Sequence, residues 1–257
     1  MSESGTEVKL PPIAVLCGGL GTRLWPLTEK IPKSMLEMAG EPFIAWQLRL
    51  LAAAGFRDVV LLCGYLGEQI EQFAGDGKQF GLKVRYCHDG EKPLGTGGAV
   101  RRALPILGST FMTIYGDSYC PTDYRRIYSA YLSSGKAALM TVFQNENRWD
   151  KSNVEYRDGS IVRYDKNNPD ESMTYIDYGI NVFTDRVFSV IPENEVFDLA
   201  IIQTSLARKG NLAGIEVSER FFEVGSQSGI DDFRGFVPRA REIHEPKTPI
   251  EEGKELG

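Results

Sequence analysis

A short apolar run that ends abruptly in a glycine-rich loop is the feature that most constrains how this chain folds. Ile13 to Cys17 is typical of a buried strand, and Gly18-Gly19-Leu20-Gly21-Thr22-Arg23 follows it directly. Glycines let the backbone approach a ligand closely, and such a loop presents several N–H groups to a phosphate. Arg23 adds a charged fork suited to phosphate oxygens, and Lys33 follows Pro32. The segment therefore predicts a loop that holds a polyphosphate.

Two familiar glycine motifs fit this loop badly. The P-loop ends in Gly-Lys-Ser/Thr, whereas here Gly21 is followed by Thr22-Arg23. The dinucleotide fingerprint needs a helix that begins among the glycines, and Trp25-Pro26 and Ile31-Pro32 oppose one. The loop is therefore expected to bind phosphates without either of these arrangements.

Predicted strands and helices alternate along the first half of the chain. The pattern predicts strands at residues 12–17, 59–62, 82–86 and 110–115 and helices at 42–54, 67–74 and 96–104. Such alternation indicates an α/β fold with a mainly parallel, doubly wound sheet, whose ligands bind at the carboxyl ends of the strands. Four loops that follow strands are expected to line one crevice: Gly18-Gly19, Cys63-Gly64, His88-Asp89-Gly90 and Gly116-Asp117.

The second half is less regular. The pattern predicts helices at 122–133 and 196–207, a strand at 176–183 and a hairpin around the Asp158-Gly159 turn. Residues 1–10 and 242–257 are poor in apolar side chains and are expected to be flexible tails. We therefore expect a single domain over residues 11–241.

Composition excludes some classes of partner. The formal net charge is −6, from 29 Lys and Arg and 35 Asp and Glu, and no basic cluster stands out, so neither a nucleic acid nor a membrane surface is expected as a partner. The first ten residues do not resemble a secretory signal, and no apolar stretch reaches membrane-spanning length. The four cysteines lack Cys-x-x-Cys spacing, which favours reduced thiols and a cytoplasmic protein.

The glycine-rich segment closely resembles the signature of the sugar-1-phosphate nucleotidyltransferases. That signature is Gly-Gly-x-Gly-Thr-Arg-Leu-x-Pro-Leu-Thr, then Pro-Lys, then a Gly-x-Pro turn, here Gly40-Glu41-Pro42. The resemblance continues through Leu94-Gly95-Thr96-Gly97-Gly98, Tyr115-Gly116-Asp117 and Phe222-Glu223-Val224-Gly225 and covers roughly residues 12–237. The chain looks most like the short bacterial branch, with its heptose-1-phosphate guanylyltransferases and N-acetylmuramate-1-phosphate uridylyltransferases.

The resemblance implies a Rossmann-like mixed sheet, with a nucleotide-binding half at about 11–120 and a sugar-binding half at about 121–241. It implies catalytic roles for Arg23, Lys33 and Asp117, and Mg²⁺ on Asp117 and Glu223. The expected nucleotide-binding residues are Leu16, Cys17, Gly18, Gly19, Gly21, Thr22, Arg23, Glu91, Leu94, Gly95, Thr96 and Gly97. The expected sugar phosphate-binding residues are Asn153, Glu155, Lys166, Tyr178, Gly179 and Asn181.

Two residues depart from the family pattern. Tyr115 stands where the family has Asn, and Glu223 stands where it has Asp, so this carboxylate reaches a metal at a shifted geometry or through water. Outside the family context, a surface glutamate at a strand end is the favoured interpretation of Glu223. Lys166 has a solvated surface charge as its alternative and Arg163 as its competitor. For Asp117 a metal ligand is favoured over the alternative, a cap before Pro121.

The resemblance implies transfer of a nucleoside monophosphate from a triphosphate, with GTP favoured, to a heptose or hexose 1-phosphate. Glu91 is expected to accept hydrogen bonds from guanine N1 and N2. The alternative within the family is a uridylyl- or thymidylyltransferase. A non-catalytic regulatory paralogue that binds a nucleotide sugar is a second alternative. A glycosyltransferase would need an Asp-x-Asp pair, which Asp117-Ser118-Tyr119 lacks. Whether the protein is a monomer or a homo-oligomer stays undecided.

Overall fold

The computed structural model describes residues 8–145, 147–148 and 151–244. Short 3-10 turns occur at Thr22–Leu24, Lys33–Met35, Lys78–Phe80 and Asp185–Phe188. The strands are β1 (Ile13–Cys17), β2 (Glu37–Met38), β3 (Glu41–Pro42), β4 (Asp58–Cys63), β5 (Lys83–His88), β6 (Thr110–Tyr115), β7 (Ser118–Tyr119), β8 (Ala138–Gln144), β9 (Val154–Arg157), β10 (Ser160–Tyr164), β11 (Tyr175–Thr184), β12 (Leu212–Glu216) and β13 (Phe222–Glu223). The helices are α1 (Phe43–Ala53), α2 (Gly67–Ala74), α3 (Gly95–Leu107), α4 (Tyr124–Ser134), α5 (Leu199–Arg208) and α6 (Gln227–His244).

In the described part of the chain, nine strands form one sheet in the order β5-β4-β1-β6-β11-β8-β12-β10-β9. The pairs β5–β4, β4–β1, β1–β6 and β8–β12 are parallel. Strand β11 is antiparallel to β6 and β8, and β10 is antiparallel to β12 and β9. Seven of the nine strands of this sheet, all except β10 and β11, therefore run in one direction, which confirms the predicted mixed, mainly parallel sheet.

Helices cover both faces of this sheet because its strands are apolar on both sides. Ile13 and Val15 of β1 pack against α1, α2 and α4, whereas Ala14 between them packs against α3 and α5. Strand β4 is buried at every position after Asp58. Successive side chains of β1 thus point to opposite faces of the sheet. This alternation divides the core into two layers and fixes the register of β1.

Side-chain caps set where two predicted helices begin. Asp123 accepts hydrogen bonds from Arg125 N and Arg126 N, so α4 starts at Tyr124. Asp198 accepts one from Ala200 N, so α5 starts at Leu199, three residues after the predicted start. The predicted hairpin is confirmed between β9 and β10, with Asp158 at φ 46° and Gly159 at φ 76° as its left-handed turn.

The sequence analysis missed α6, which packs on a third apolar cluster. The Phe233 ring centroid lies 5.0 Å from that of Phe43 on α1 and 5.1 Å from that of Tyr119 on β7. Helix α6 extends to His244, three residues past the predicted end of the domain at residue 241, and the His244 ring packs on Trp46 and Tyr119. Residues 245–257 lie outside the described residues.

The prediction that residues 1–10 form a flexible tail is wrong for residues 8–10. Leu10 is buried in the core, and Val8 O accepts a hydrogen bond from Arg125 Nη1 at 2.9 Å. These contacts tie residues 8–10 to the domain, and residues 1–7 lie outside the described part.

No helix among residues 8–145, 147–148 and 151–244 combines the length and the apolar character that crossing a bilayer requires.

Phe233→Ala should lower the free energy of unfolding by about 3–5 kcal/mol, since it opens a cavity where a fully buried ring joins α6 to α1 and β7. Urea denaturation measures this loss. The control is Leu132→Ala, because Leu132 is 54% exposed and its loss should change stability by no more than about 0.5 kcal/mol. Equal effects of the two substitutions would contradict this account of α6 packing.

Candidate active site

Two cavities meet at the carboxyl ends of the parallel strands. The small cavity, of about 270 Å³, is lined by residues that follow β1, β5 and β6, among them Gly18, Gly19, Asp89 and Gly116. The large cavity, of about 780 Å³, is lined mainly by residues of β11, by Lys166 and by the segment 220–232. Tyr115 and Asp117 line both cavities, so they stand at the junction. Three of the four predicted loops therefore contribute to this edge, through Gly18-Gly19, Asp89 and Gly116-Asp117, whereas Cys63-Gly64 lines neither cavity.

The first part of the glycine-rich loop, Gly18 to Leu20, lines the small cavity. Gly18 and Gly64 approach so closely that a Cβ at Gly64 would lie 2.7 Å from Gly18 O. Gly21 is left-handed at φ 66°, and its carbonyl accepts a hydrogen bond from Thr28 Oγ1 at 2.8 Å. No α-helix begins among these glycines, as predicted, and the 3-10 turn at Thr22–Leu24 leaves the Arg23 side chain 69% exposed beside the cavities. Leu16 and Cys17 also line the small cavity, whereas Gly21 and Thr22 do not.

Asp117 and Lys33 form an ion pair at the junction. Asp117 follows β6 and Gly116, and Lys33 begins the 3-10 turn Lys33–Met35. Lys33 Nζ donates to Asp117 Oδ2 at 2.6 Å, and the two side chains are only 16% and 19% exposed. The structure therefore brings together two residues 84 positions apart, Lys33 as the expected phosphate-binding cation and Asp117 as the expected metal ligand.

A two-stranded ribbon brings Glu223 beside Asp117. Strand β13 pairs with β7 so that Glu223 lies opposite Ser118, and Val224 N donates to Asp117 O at 2.9 Å. Arg23 Nη2 donates to Glu223 Oε1 at 3.3 Å. Burial raises the pKa of Glu223 above its usual 4.5, and the Asp117 charge raises it further, while Arg23 and Lys33 oppose both. Two carboxylates and two cations thus form one alternating cluster.

This carboxylate pair fits Mg²⁺ and does not fit a metal that needs a closed protein shell. The described residues contain no group of three or more His, Cys, Asp or Glu side chains placed to hold a metal. Mg²⁺ is usually held by one or two carboxylates together with water and substrate phosphates. Burial is the main cause of the raised pKa of Glu223 and repulsion from Asp117 is the second, and a bound cation would relieve that repulsion.

Gln47 orders the Asp117 turn, and sequence reasoning missed it. Its Nε2 donates to Tyr115 O at 2.8 Å and to Ser118 O at 2.6 Å, and the residue is fully buried on α1. Burying an amide is unfavourable unless it is hydrogen-bonded. A glutamine on the apolar face of a helix, between Trp46 and Leu48, was the signal available in the sequence.

The second glycine loop serves packing as well as the cavity. Gly95 and Thr96 line the small cavity, but Gly97 does not. Instead, Gly97 N donates to Phe197 O at 2.8 Å, and a Cβ at Gly97 would lie 2.9 Å from Phe197 Cδ1. Leu94 is buried beneath the loop. The prediction that Gly97 lies in the nucleotide site is therefore not supported. The absence of a side chain at Gly97 instead makes room for the segment before α5.

Besides Asp117, the carboxylate that lines the small cavity is Asp89 and not Glu91. Glu91 is exposed and is not a lining residue, because the chain turns outward at Gly90 with φ 85°. Asp89 is only 6% exposed, and its Oδ2 accepts a hydrogen bond from Leu94 N at 3.1 Å. Burial raises the pKa of Asp89 above its usual 3.8. Asp89 therefore lines the cavity that Glu91 was expected to line.

Four of the six predicted sugar-side residues line the large cavity, namely Asn153, Lys166, Tyr178 and Gly179. Asn181 is buried away from it, and its Oδ1 accepts a hydrogen bond from Gln203 Nε2 at 3.0 Å. Glu155 pairs with Arg157 outside the lining. Arg163 pairs with Asp170, so the cation that faces the cavity from this region is Lys166.

Asp177 is a lining residue that the sequence analysis did not select. Its Oδ1 accepts a hydrogen bond from Gly179 N at 2.9 Å, and its Oδ2 lies 3.5 Å from Gln203 Nε2. Burial raises the pKa of Asp177 from 3.8 to about 6, although these two hydrogen bonds and the Lys166 charge oppose the rise. A carboxyl within a mainly apolar strand was the signal available in the sequence.

The fold is shared with a solved structure. The crystal structure of HddC from Yersinia pseudotuberculosis complexed with GMP-PN matches with a TM-score of 0.76 over 89% of this chain and 100% of that chain, at 22% identity. This similarity places the protein in the same α/β fold class.

Residues 13–215 match the family described as Nucleotidyl transferase, and the chain belongs to that family, as the sequence analysis predicted. The N-acetylmuramate alpha-1-phosphate uridylyltransferase of Neisseria meningitidis serogroup B is 28% identical over 82% of this chain and 92% of its own length. The D-glycero-alpha-D-manno-heptose 1-phosphate guanylyltransferase of Campylobacter jejuni is 27% identical over 82% and 93%. The chain spans 52% of the mannose-1-phosphate guanylyltransferase catalytic subunit beta of Drosophila melanogaster, at 31% identity over 71% of this chain.

Asp177→Asn should gain stability relative to the native chain as the pH rises through 6. The folded state raises the pKa of Asp177 from 3.8 to about 6, so the stability that this carboxyl contributes is present below pH 3.8 and is lost as the pH rises through 6. The shift corresponds to about 3 kcal/mol between pH 4 and pH 8. Urea denaturation of both proteins across this range measures the difference.

Asp165→Asn is the control for this pH dependence. Hydrogen bonds from Asn168 N and Asn167 N lower the pKa of the exposed Asp165, so its substitution should lose stability, relative to the native chain, as the pH rises. A stability difference between Asp177→Asn and the native chain that does not vary with pH would contradict the assigned burial of Asp177.

Proposed function

We propose that this protein transfers a nucleoside monophosphate from a nucleoside triphosphate to a sugar 1-phosphate and releases pyrophosphate. The named relatives catalyse reactions of this type on their own substrates. The observation that carries the proposal is the junction at Tyr115 and Asp117, where a cavity below the glycine-rich loop opens into a larger polar cavity. Two substrates bound in these cavities would meet at the Lys33–Asp117 pair.

The reaction needs positioning and charge neutralisation more than proton transfer. A sugar phosphate oxygen attacks the α-phosphorus, and the bond to the bridging oxygen breaks, so pyrophosphate leaves with the electron pair. The attacking phosphate is already ionised at neutral pH, so no general base is required. The protein must hold two anions in line and neutralise the charge that develops.

The chain's own cations supply this neutralisation. Lys33 lies at the junction and is assigned to the α-phosphate and the incoming sugar phosphate. Arg23 follows the glycine-rich loop, lines the large cavity and is assigned to the β- and γ-phosphates. Both cations are paired with carboxylates, and a bound triphosphate would give them further anionic partners.

Asp117 and Glu223 are the residues that would hold Mg²⁺. A bound Mg²⁺ would neutralise phosphate charge and orient the reacting groups. Glu223 has one methylene more than the aspartate usual in the family, and its Arg23 contact keeps its carboxylate next to Asp117. The pair therefore supports a magnesium site despite the substitution.

The large cavity is assigned to the sugar 1-phosphate. Lys166 faces it as the cation for the sugar phosphate, and Asn153, Asp177 and Gly179 present groups that suit sugar hydroxyls. Asn153 Oδ1 already accepts from Asp177 N at 3.0 Å, so its amide N–H groups are the part directed to a ligand.

GTP is the favoured triphosphate, and UTP or dTTP is the alternative. The guanylyl preference is supported by the heptose 1-phosphate guanylyltransferase relative and by the solved structure complexed with GMP-PN. The uridylyltransferase relative supports the alternative. In the small cavity, the Asp89 carboxylate would accept from the paired N–H groups of guanine N1 and N2. A cytoplasmic location remains a prediction, supported by four free cysteines.

The direct test measures pyrophosphate release with GTP, UTP, dTTP and ATP against a panel of hexose and heptose 1-phosphates with Mg²⁺. We expect turnover with at least one pair of substrates and near-complete loss in Asp117→Asn, which keeps the shape and removes the anion. Nucleotide binding without pyrophosphate release would identify a regulatory paralogue. Sugar transfer from a nucleotide sugar to an acceptor would identify a glycosyltransferase.

Asp89→Asn should reduce the preference for GTP over UTP by about 1–3 kcal/mol, because the amide oxygen would keep the Leu94 N–H and turn its NH₂ group towards the base. The measurement is the ratio of kcat/KM values for the two triphosphates. Glu91→Gln is the matched control and should leave the ratio unchanged, since Glu91 lies outside the cavity. If the ratio changed in Glu91→Gln and not in Asp89→Asn, Glu91 and not Asp89 would be the residue that recognises the base.

A further inference from the structure

Asp198 touches one lining residue of each cavity and lines neither cavity itself. Its Oδ1 accepts a hydrogen bond from Thr96 Oγ1 at 3.3 Å, and Thr96 lines the small cavity. Its Oδ2 lies 3.7 Å from Lys166 Nζ, and Lys166 lines the large cavity. One carboxylate therefore spans from the nucleotide side of the site to the sugar side.

The nucleotide side of this bridge is rigidly held. Phe197 O accepts from Gly97 N and Gly98 N at 2.8 and 3.2 Å, and Phe197 N donates to Leu94 O at 2.8 Å. Thr96 Oγ1 also accepts a hydrogen bond from Leu199 N at 2.9 Å. These bonds lock the segment before α5 to the second glycine loop. Asp198 is therefore fixed relative to Thr96 by the backbone on both sides.

The sugar side of the bridge is adjustable. Lys166 has a long flexible stem, its side chain is 55% exposed, and its distance to Asp198 is at the long end of an ion pair. A lysine in this position loses rotamer freedom when it binds a phosphate, and a partner that restricts it beforehand reduces that loss.

We propose that Asp198 is a positioning residue that holds Lys166 towards the large cavity from a base fixed to the nucleotide loop. The inference rests on the proposed function, because Lys166 is taken as the cation for the sugar phosphate. Because its base is already fixed by the Thr96 loop, Asp198 restricts Lys166 before the sugar 1-phosphate binds.

Asp198 also caps α5, and the test must separate the two roles. Its Oδ1 accepts from Ala200 N at 2.9 Å, as expected of an N-cap aspartate. Asp123 caps α4 in the same way, with bonds of 3.0 Å from Arg125 N and Arg126 N, and it lines neither cavity. Asp123→Asn is therefore a matched control for changes to a cap.

The experiment compares Asp198→Asn with Asp123→Asn at saturating triphosphate, using the sugar 1-phosphate that the native protein turns over best. Asparagine keeps the cap and the Thr96 contact, and it removes the charge that faces Lys166. We expect KM for the sugar 1-phosphate to rise about tenfold, with KM for the triphosphate changed by no more than about twofold. Asp198→Glu should restore part of the loss, and Asp123→Asn should change neither constant.

A double-mutant cycle with Lys166→Met decides whether Asp198 acts through Lys166. If it does, Asp198→Asn has no further effect on KM in the Lys166→Met background. An equal effect in both backgrounds, or a lower melting temperature with unchanged KM, would overturn the proposal.

Failure of the proposed function gives a different result. In that case the native protein releases no pyrophosphate with any pair of substrates, and the inference is read from calorimetric titration with glucose 1-phosphate and mannose 1-phosphate. About tenfold weaker binding of either sugar phosphate to Asp198→Asn than to the native protein supports the positioning role of Asp198. Equal binding to the native protein and the variant, or no binding to either, overturns it.

Discussion

The close contact between the ends of β1 and β6 is the constraint on which the site depends. Gly116 N donates to Leu16 O at 3.0 Å, and a Cβ at Gly116 would lie 2.7 Å from Cys17 Sγ. No other residue fits there without displacing one of the two strands. Because the strands touch at this point, the loop that follows β1 and the aspartate that follows β6 emerge side by side. The ligand edge of the sheet is therefore set by packing before any ligand is considered.

The charges around this edge stabilise each other in pairs. Lys33 pairs with Asp117, and Arg23 pairs with Glu223, while burial and then the neighbouring Asp117 charge raise the pKa of Glu223. Such a cluster keeps four charged groups close together without a large net charge. The phosphates of a triphosphate would give the two cations new anionic partners, and its metal would give the two carboxylates a new cationic partner. The cluster is therefore suited to binding a triphosphate together with its metal.

Helix α6 connects the stability of the domain to the geometry of the site. It covers the β7–β13 ribbon, which carries Glu223 and the residue after Asp117. At its end, His244 Nε2 lies 3.0 Å from the Tyr119 hydroxyl, and burial lowers the pKa of His244 from 6.5 to about 4. The ribbon is short, so its position depends on these aromatic contacts more than on its own hydrogen bonds.

The sequence by itself determined the mainly parallel sheet, the glycine-rich loop that follows its first strand and the principal charged residues of the site. These follow from local patterns: apolar runs of strand length, glycines directly after them, and Arg23, Lys33 and Asp117 in the loops that follow. The tertiary structure decided which side chains meet and which face the cavities. The Arg23–Glu223 contact joins residues 200 positions apart, and Asp89 faces the small cavity because the chain turns outward at Gly90 before Glu91. Asp177, Gln47 and Asp198 gained their places from pairing and packing with distant elements, and no local pattern encodes those contacts.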